Sequence, residues 1–541
     1  MSKRQPKTCY WQDAPMPRNQ LVLISETLEE RIPAEHPVRA VDEMLDRLEW
    51  SDWEAEYHGS FGKPPIHPSV LSKVILFGII RGIRSSRKIE YEIKHSIDFM
   101  WLVSGRTIDH TTISNFRRDH QNPLKKLYRD MVRLAIELGV AKLSDLCIDG
   151  TRVLANANRY KTLTAEKAQK LLDELDRQIA AAIKEMESTD ELDDLFDDGQ
   201  KADQLPESLR DSEERRTQLD AAISKLNQMD ADRSSWVKDA KKNPAQLPTT
   251  DPDSRILPNK EGGYAANYTP MIVTDEASGL IVDADVLIGN VEHTALASMV
   301  DTVQSEYGVK PETVMGDTAY SAGENLTAME ERDIELLSPL AQPKCNNNPA
   351  IREDLTQPVA DEDIDRLPNN PQTKRFDKTA FVYDEEQDCY YCPAGKQLPR
   401  SGQEKKKKVP NGKVIHQLNY TCYECAGCPL ADRCRANPNA KKGRKVTHDI
   451  HEAARRRQRK RMKTDEAKER YKRRQHAGET PFAVIKASFL LRQFLLRTVE
   501  GVQTEWIWHC AAFNLKRLMN MLATLRAERD QTQAIEQAAT I

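Results

Sequence analysis

A chain of 541 residues, 39% hydrophobic and 30% charged, has the length and apolar content for two or more domains around a sizeable core. Its 80 Lys and Arg against 84 Asp and Glu leave a formal net charge of −4, which excludes a uniformly basic coat for nucleic acid. No apolar run has the length of a membrane span, and the opening MSKRQPKTCYWQDAP has no signal-peptide core. The expectation is therefore a soluble, cytoplasmic protein without membrane contact, whose ten cysteines serve as metal ligands or free thiols rather than disulfides.

Residues 1–35 read as an irregular arm. Residues 36–135 read as an all-helical domain, with VRAVDEMLDRL, PSVLSKVILFGIIRGI, SRKIEYEIKHSIDFMWLV and DHTTISNFRRDH showing apolar residues at three- and four-residue spacings. The last piece is expected to be a helix capped by Asp109 or Thr111, with Ser114, Asn115, Arg117 and Arg118 near or beyond its exposed face. A helix-turn-helix reading makes Arg117 and Arg118 DNA contacts; an ordinary helical bundle fits the pattern as well. Residues 140–340 read as the first part of an α/β core. Within it, about 162–245 form an inserted helical hairpin, Leu171, Leu175, Ile179, Ala182 and Met186 facing Leu219, Ile223 and Leu226 across an acidic turn. YAANYTPMIVTD and LIVDADVLI are strands around Glu276-Ala277-Ser278-Gly279, followed by helix, strand, helix and strand. A Cys-rich insertion spans 341–450, the core resumes over 451–525, and 526–541 is a tail.

Three acids lie where a phosphodiester-cutting fold needs them. Asp149 ends the apolar run Leu146-Cys147-Ile148, and Asp317 ends Val314-Met315-Gly316. Glu479 follows the basic run 455–474 and precedes an apolar helix. Carboxylates at the ends of buried strands are held rigidly, and a converging set can hold two divalent ions about 4 Å apart. Each alone also reads as a turn residue or a helix cap. Pro481 is expected in the first turn of a helix capped by Thr480, leaving Glu479 at its entrance. The basic run would neutralise DNA phosphates, or serve simply as a solvated face.

Cys389-x2-Cys392 and Cys422-x2-Cys425-x2-Cys428-x5-Cys434 have the spacing of a tetrahedral thiolate site. Six candidates exceed four ligands. The set chosen for a structural Zn²⁺ is Cys392, Cys425, Cys428 and Cys434, with free thiols or an iron–sulfur cluster as the other readings.

With these residues in hand, the chain resembles DDE transposases of bacterial insertion sequences, in the group with an InsH-type N-terminal domain and a cysteine-rich insertion. CIDGTRVLANANRYK, DPDSRILPNKEGGYAANYTP, GDTAYSAGEN, the PLADRC cluster, GETPFAVIK and AAFNLKRL carry the resemblance in order. It implies a ribonuclease H-like (retroviral-integrase-like) mixed sheet in which Asp149, Asp317 and Glu479 bind Mg²⁺ or Mn²⁺. It also implies a Tyr-x2-Arg-x3-Glu-x6-Lys pattern, for which the chain offers Tyr471, Arg474, Glu479 and Lys486 with four residues, not three, between Arg474 and Glu479. Tyr471, Arg474 and Lys486 would then engage DNA. The implied activity is binding of the element's terminal inverted repeats, metal-dependent cleavage and strand transfer on double-stranded DNA by a homodimer at the nucleoid. A nuclease of the same fold and a catalytically inactive regulator are the alternatives.

Overall fold

In the computed structural model, residues 26–57, 64–158, 160–188, 207–234, 243–259, 262–340, 348–408, 414–438 and 440–539 are described. The N-terminal periodicities become short helices with identifiable caps. Pro37–Asp46 and Pro68–Ile80 both begin on a proline, with the ring of His36 or His67 accepting a backbone N–H of the first turn. His110–Asp119 is capped by Asp109, whose Oδ1 accepts from the backbone N–H of Thr111 and of Thr112, both at 2.9 Å. Asp109 rather than Thr111 is the cap.

The core strands are β1 (Asp145–Gly150), β2 (Val153–Leu154), β3 (Thr162–Leu163), β4 (Leu247–Pro248), β5 (Arg255–Pro258), β6 (Tyr264–Asp275), β7 (Ile281–Leu287), β8 (Thr313–Met315) and β9 (Glu335–Leu337). Among the described residues β7, β6, β1, β8 and β9 lie side by side, with β2 and β5 on the first half of β6. β6 runs antiparallel to both β1 and β7, whereas β1, β8 and β9 are parallel. The parallel connections are made by the helices Leu296–Tyr307 and Gly323–Glu331. These cover one face through Val300, Val303, Leu326 and Met329, which pack on Leu146, Ile148 and Val314.

The N-terminal helices do not form a separate core. Val74, Phe77, Phe116 and Leu124 share one apolar cluster with Tyr268, Ile272 and Ile281 of the sheet and with Trp506, Trp508 and Phe513 of the C-terminal helix. That helix, Val499–Ala539, is continuous through the segment read as a tail.

The insertion is a hairpin of the helices Ala165–Ser188 and Glu207–Ser234; the acidic turn between them lies outside the described residues. Ala168 packs near Leu226 and Leu172 near Leu219, so the arms are antiparallel. Leu171, expected in the interface, is exposed and Leu172 faces inward. At the hairpin's base β3 pairs with β4. The Cys-rich region carries two three-stranded sheets, Val382–Asp384 with Cys389–Tyr391 and Gln397–Pro399, and Lys405–Lys408 with Val414–Thr421 and Lys445–Asp449.

The helix bearing Glu479 departs from expectation. It runs unbroken from Asp465 to Ala483, its cap is Thr464, and Pro481 lies in its last turn. A proline there has no N–H for the carbonyl four residues back. That carbonyl, Ala477 O, instead accepts the hydroxyl of Thr274 at 3.2 Å. Beyond Pro481 the chain widens into a π-turn, Val484–Ser488.

Candidate active site

Alternation along β1 sends Leu146 and Ile148 into the helix-covered face and Cys147 to the other, where it meets Met315, Ala467 and Ala477. Asp149 follows Cys147 on that second face. The parallel register pairs Asp145 with Thr313, Leu146 with Val314 and Cys147 with Met315. Continued two residues, it sets Asp149 level with Asp317 on the neighbouring strand. One Asp317 oxygen also caps the turn Thr318–Ser321, accepting from Ala319 N–H at 2.8 Å, so cap and strand-end acid are the same residue.

The Asp465–Ala483 helix lies over this pair. A Cβ on Gly478 would stand 3.7 Å from Cβ and Oδ2 of Asp149, ordinary contact, so the helix backbone passes directly beside the acid. One turn earlier Arg474 Nη2 reaches Asp149 Oδ2 at 3.2 Å. Both side chains are nearly enclosed, 11% and 15% exposed, which places this pair in a weakly screened setting. Burial would lower the Arg474 guanidinium, but the charges of Asp149, Tyr471 and Asp317 outweigh it and hold it above its usual value. Tyr471 lies under the Arg474 guanidinium, 6.0 Å from ring centroid to Cζ. Burial, then the charges of Asp317 and Asp149, push its phenol up against the opposing pull of Arg474.

Glu479 is exposed, and among the described residues it makes no hydrogen bond or ion pair. It is one residue past the point of closest approach, about 100° around the helix from Gly478. Gly478 occupies the position that the x3 spacing from Arg474 would give to an acid. Lys486, carried by the π-turn, donates to Thr151 Oγ1 and, at 2.9 Å, to Arg152 O just beyond Asp149.

Three neighbours of the acids carried no sequence signal of their own. Gly150 follows Asp149, and a Cβ there would meet Met271 Sδ at 2.6 Å and Glu292 Oε2 at 3.0 Å. Gly316 precedes Asp317, and a Cβ there would strike the Tyr320 ring at 2.7 Å. Asn325 ties the two turns together, its Nδ2 donating to His293 O at 2.9 Å and Tyr320 O at 3.2 Å.

Two DNA-contact expectations are altered. Arg117 is buried, 7% exposed, and its Nη1 donates to Arg84 O at 2.6 Å, while Arg84 pairs with Glu505 at 2.8 Å. It therefore locks the N-terminal helices to the C-terminal one; Arg118 remains exposed beside Asp119. The basic run is also mostly spoken for. Arg455 pairs with Asp449, Arg456 and Arg459 with Glu452, Arg457 with Glu330 and Glu385, Arg461 with Glu335, and Arg470 with Asp145 and Glu335. These arginines clamp the helices onto the core. Lys460, Lys463 and Arg473 are exposed without such partners among the described residues.

In the Cys-rich region Cys392, Cys422, Cys425, Cys428 and Cys434 line one small cleft. Backbone N–H groups of Lys396 and Arg444 donate to Cys392 Sγ at 3.3 Å and Cys425 Sγ at 3.4 Å. Burial pushes Cys422 up to about 12 and Cys434 up to about 11. Cys389 faces elsewhere and accepts from Gln397 Nε2 at 3.2 Å.

Comparison with protein families gives two matches: residues 26–119 to the Transposase domain (DUF772), and residues 391–519 to the Transposase DDE domain. Together these matches support a DDE transposase of insertion-sequence type. No curated protein matches the chain. The second match takes in the cysteine cleft, Glu479 and Lys486, and the mixed sheet of the chain is compatible with a ribonuclease H-like core.

Transposases of the DDE type use divalent metal ions. Among the described residues no three His, Cys, Asp or Glu groups stand close enough to hold an ion. In kind, however, the donors fit. Asp149 and Asp317 carry hard carboxylate oxygens that the strand register sets level, and the Tyr320 hydroxyl is a buried polar atom with no partner, within reach of their charge. No helix of the described residues is long and apolar enough to cross a membrane.

Proposed function

We propose that this transposase binds the terminal inverted repeats of its element and catalyses metal-dependent cleavage and strand transfer, with Asp149, Asp317 and Glu479 as the metal-holding acids of a ribonuclease H-like core. The observation that carries this reading is the β1–β8 register, whose continuation by two residues sets two acids 168 positions apart level with each other. Bound there, divalent ions would activate a nucleophile and stabilise the leaving oxygen of an in-line displacement. The chain's own residues would do the rest. Asp149 and Asp317 hold their orientation through the strand ends and the Asp317 cap. Arg474 pairs with the Asp149 carboxylate, and its guanidinium has the fork geometry to meet a phosphate of the bound strand. Lys486 fixes the Thr151–Arg152 segment that follows Asp149.

End recognition would come mainly from the N-terminal helices through Asn115 and Arg118. Sequence-independent affinity would come from Lys460, Lys463 and Arg473. Two ends must be joined, so the active assembly is a homodimer on DNA. The cysteine cleft would hold a structural Zn²⁺ on Cys392, Cys425, Cys428 and Cys434, the two backbone N–H···S bonds favouring thiolates there.

The test is an oligonucleotide carrying the element's own end, incubated with Mg²⁺. Wild-type protein yields a cut strand and joined products. Asp149→Asn and Asp317→Asn bind the end with unchanged affinity and cut at least about a thousandfold more slowly. Cutting by Asp149→Asn at the wild-type rate overturns the reading; cutting without joining by wild type reduces it to a nuclease.

A further inference from the structure

The two acids are flanked by the two glycines of the site, and both glycines are filled from the same side. Glu292 occupies the space beneath Gly150, and the Tyr320 ring that beneath Gly316. Both come from short 3-10 turns, Glu292–Ala295 after β7 and Thr318–Ser321 after β8, which pack on each other and are bridged by Asn325. Tyr320 is completely buried, yet its hydroxyl has no hydrogen-bond partner. The charge it feels most strongly is that of Glu292, ahead of Asp149 and Asp317. A buried hydroxyl left without a partner is costly, so a site that retains one has something for it to bind. The negative charges of Glu292, Asp149 and Asp317 all reach it, and such charge is met by a cation and its ordered water.

We propose that Glu292 is a fourth carboxylate of the metal-binding centre, a positioning residue that acts with the Tyr320 hydroxyl from beneath the strand ends to raise the affinity of Asp149 and Asp317 for a hydrated divalent cation. It rests on the reading of Asp149 and Asp317 as metal-holding acids and adds a member that neither the Asp-Asp-Glu pattern nor the Tyr-Arg-Glu-Lys pattern contains. Glu292 does not touch the reacting phosphate. Its carboxylate lies on the opposite side of β1 from Asp149, so it works through shared water and through charge. Outer-sphere partners of this kind typically change metal affinity by about 10- to 100-fold.

The experiment measures Mn²⁺ binding to the full chain without DNA, by calorimetry or by loss of the free-ion paramagnetic resonance signal, alongside the Mg²⁺ dependence of cleavage. Glu292→Gln keeps the shape and removes the charge. It is expected to weaken Mn²⁺ binding about tenfold and to move the Mg²⁺ midpoint for cleavage upward by the same factor, with the maximal rate recovered at saturating metal. Glu292→Asp should restore part of the affinity. Tyr320→Phe removes only the hydroxyl and should shift binding in the same direction, which keeps the test sharp if Glu292→Gln folds poorly. Unchanged Mn²⁺ affinity in a folded Glu292→Gln protein, with Asp149→Asn losing it, overturns the role of Glu292 alone. Unchanged affinity in Asp149→Asn overturns the metal-holding reading and this proposal with it.

Discussion

Gly150 and Gly478 both lie against Asp149, but they answer differently to a methyl group. At Gly150 the added carbon would press on Met271 Sδ at 2.6 Å and on the Glu292 carboxylate, so Gly150→Ala should lower the melting temperature by several degrees and impair cleavage. At Gly478 the same carbon meets only ordinary contacts at 3.7 Å and gains helix propensity worth about 1 kcal/mol. Gly478→Ala should therefore match or exceed wild type in a thermal melt. Asp283 gives a pH signature away from the site. Burial, with Asp285 nearby, pushes its carboxyl up to about 7, against about 3.9 in the unfolded chain. The folded state therefore keeps that proton longer. The associated stability is full below about pH 4 and is lost as pH rises through about 7. Asp283→Asn should raise the melting temperature at about pH 8 and flatten its fall from about pH 5. Of the candidate site, the strand-end placement of Asp149 and Asp317 was legible because each closes an apolar run, and a strand end is a local property. Arg117 was misjudged because periodicity gives a helix a polar face without saying that Trp508, whose Nε1 donates to Arg117 O at 3.1 Å, would pack against it.

At the scale of elements, the helix over the acids shows how a local rule yields to a tertiary contact. Proline favours the first helical turn, which is why Thr480 looked like a cap. Instead the preceding basic residues stay helical, and Thr274, reaching across from β6, satisfies the carbonyl that Pro481 leaves open. Thr274→Val should cost about 1–2 kcal/mol, read as a lower melting temperature. In a Pro481→Ala background, where residue 481 supplies its own N–H, that penalty should shrink. The succession of the main strands along the chain was readable because turn residues bound them, whereas the short strands β2 to β5 carried no such signal. The hairpin was readable too, but its inward face was displaced by one residue at Leu171, since two adjacent leucines offer the helix two phases. The cysteine cleft makes its own prediction. Purified protein should carry about one zinc per chain, and Cys425→Ser should lose it together with the melting transition of that region. Metal-free wild-type protein of unchanged stability would argue for free thiols.

Across the whole molecule, the C-terminal helix is the common wall of the N-terminal helices and the sheet. Trp508 packs at a tilt against Trp53 and Phe116, and Trp506 donates to Met271 O at 3.1 Å. A chain ended after residue 498 should thus fail to fold its N-terminal half, seen as loss of protease resistance before residue 340. The ion pairs of the basic run likewise separate charge from affinity. Arg473→Ala or Lys460→Ala should each reduce the salt dependence of DNA binding by about one phosphate contact, whereas Arg457→Ala should leave that slope alone and lower stability. The sequence showed a block of positive charge; its partners come from five separate segments and could not be read from the block. At the root of the helical hairpin, Thr162 faces Pro248 and Leu163 faces Leu247, and Thr249 N–H closes the ladder on Lys161 O at 3.0 Å. The two strands of that clasp leave and re-enter the core side by side, so the spacing of the acids is blind to how long the arm between them is. The arm can therefore be lengthened, shortened or exchanged without moving the two acids, and a fluorescent reporter grafted there should leave the melting transition of the core unchanged.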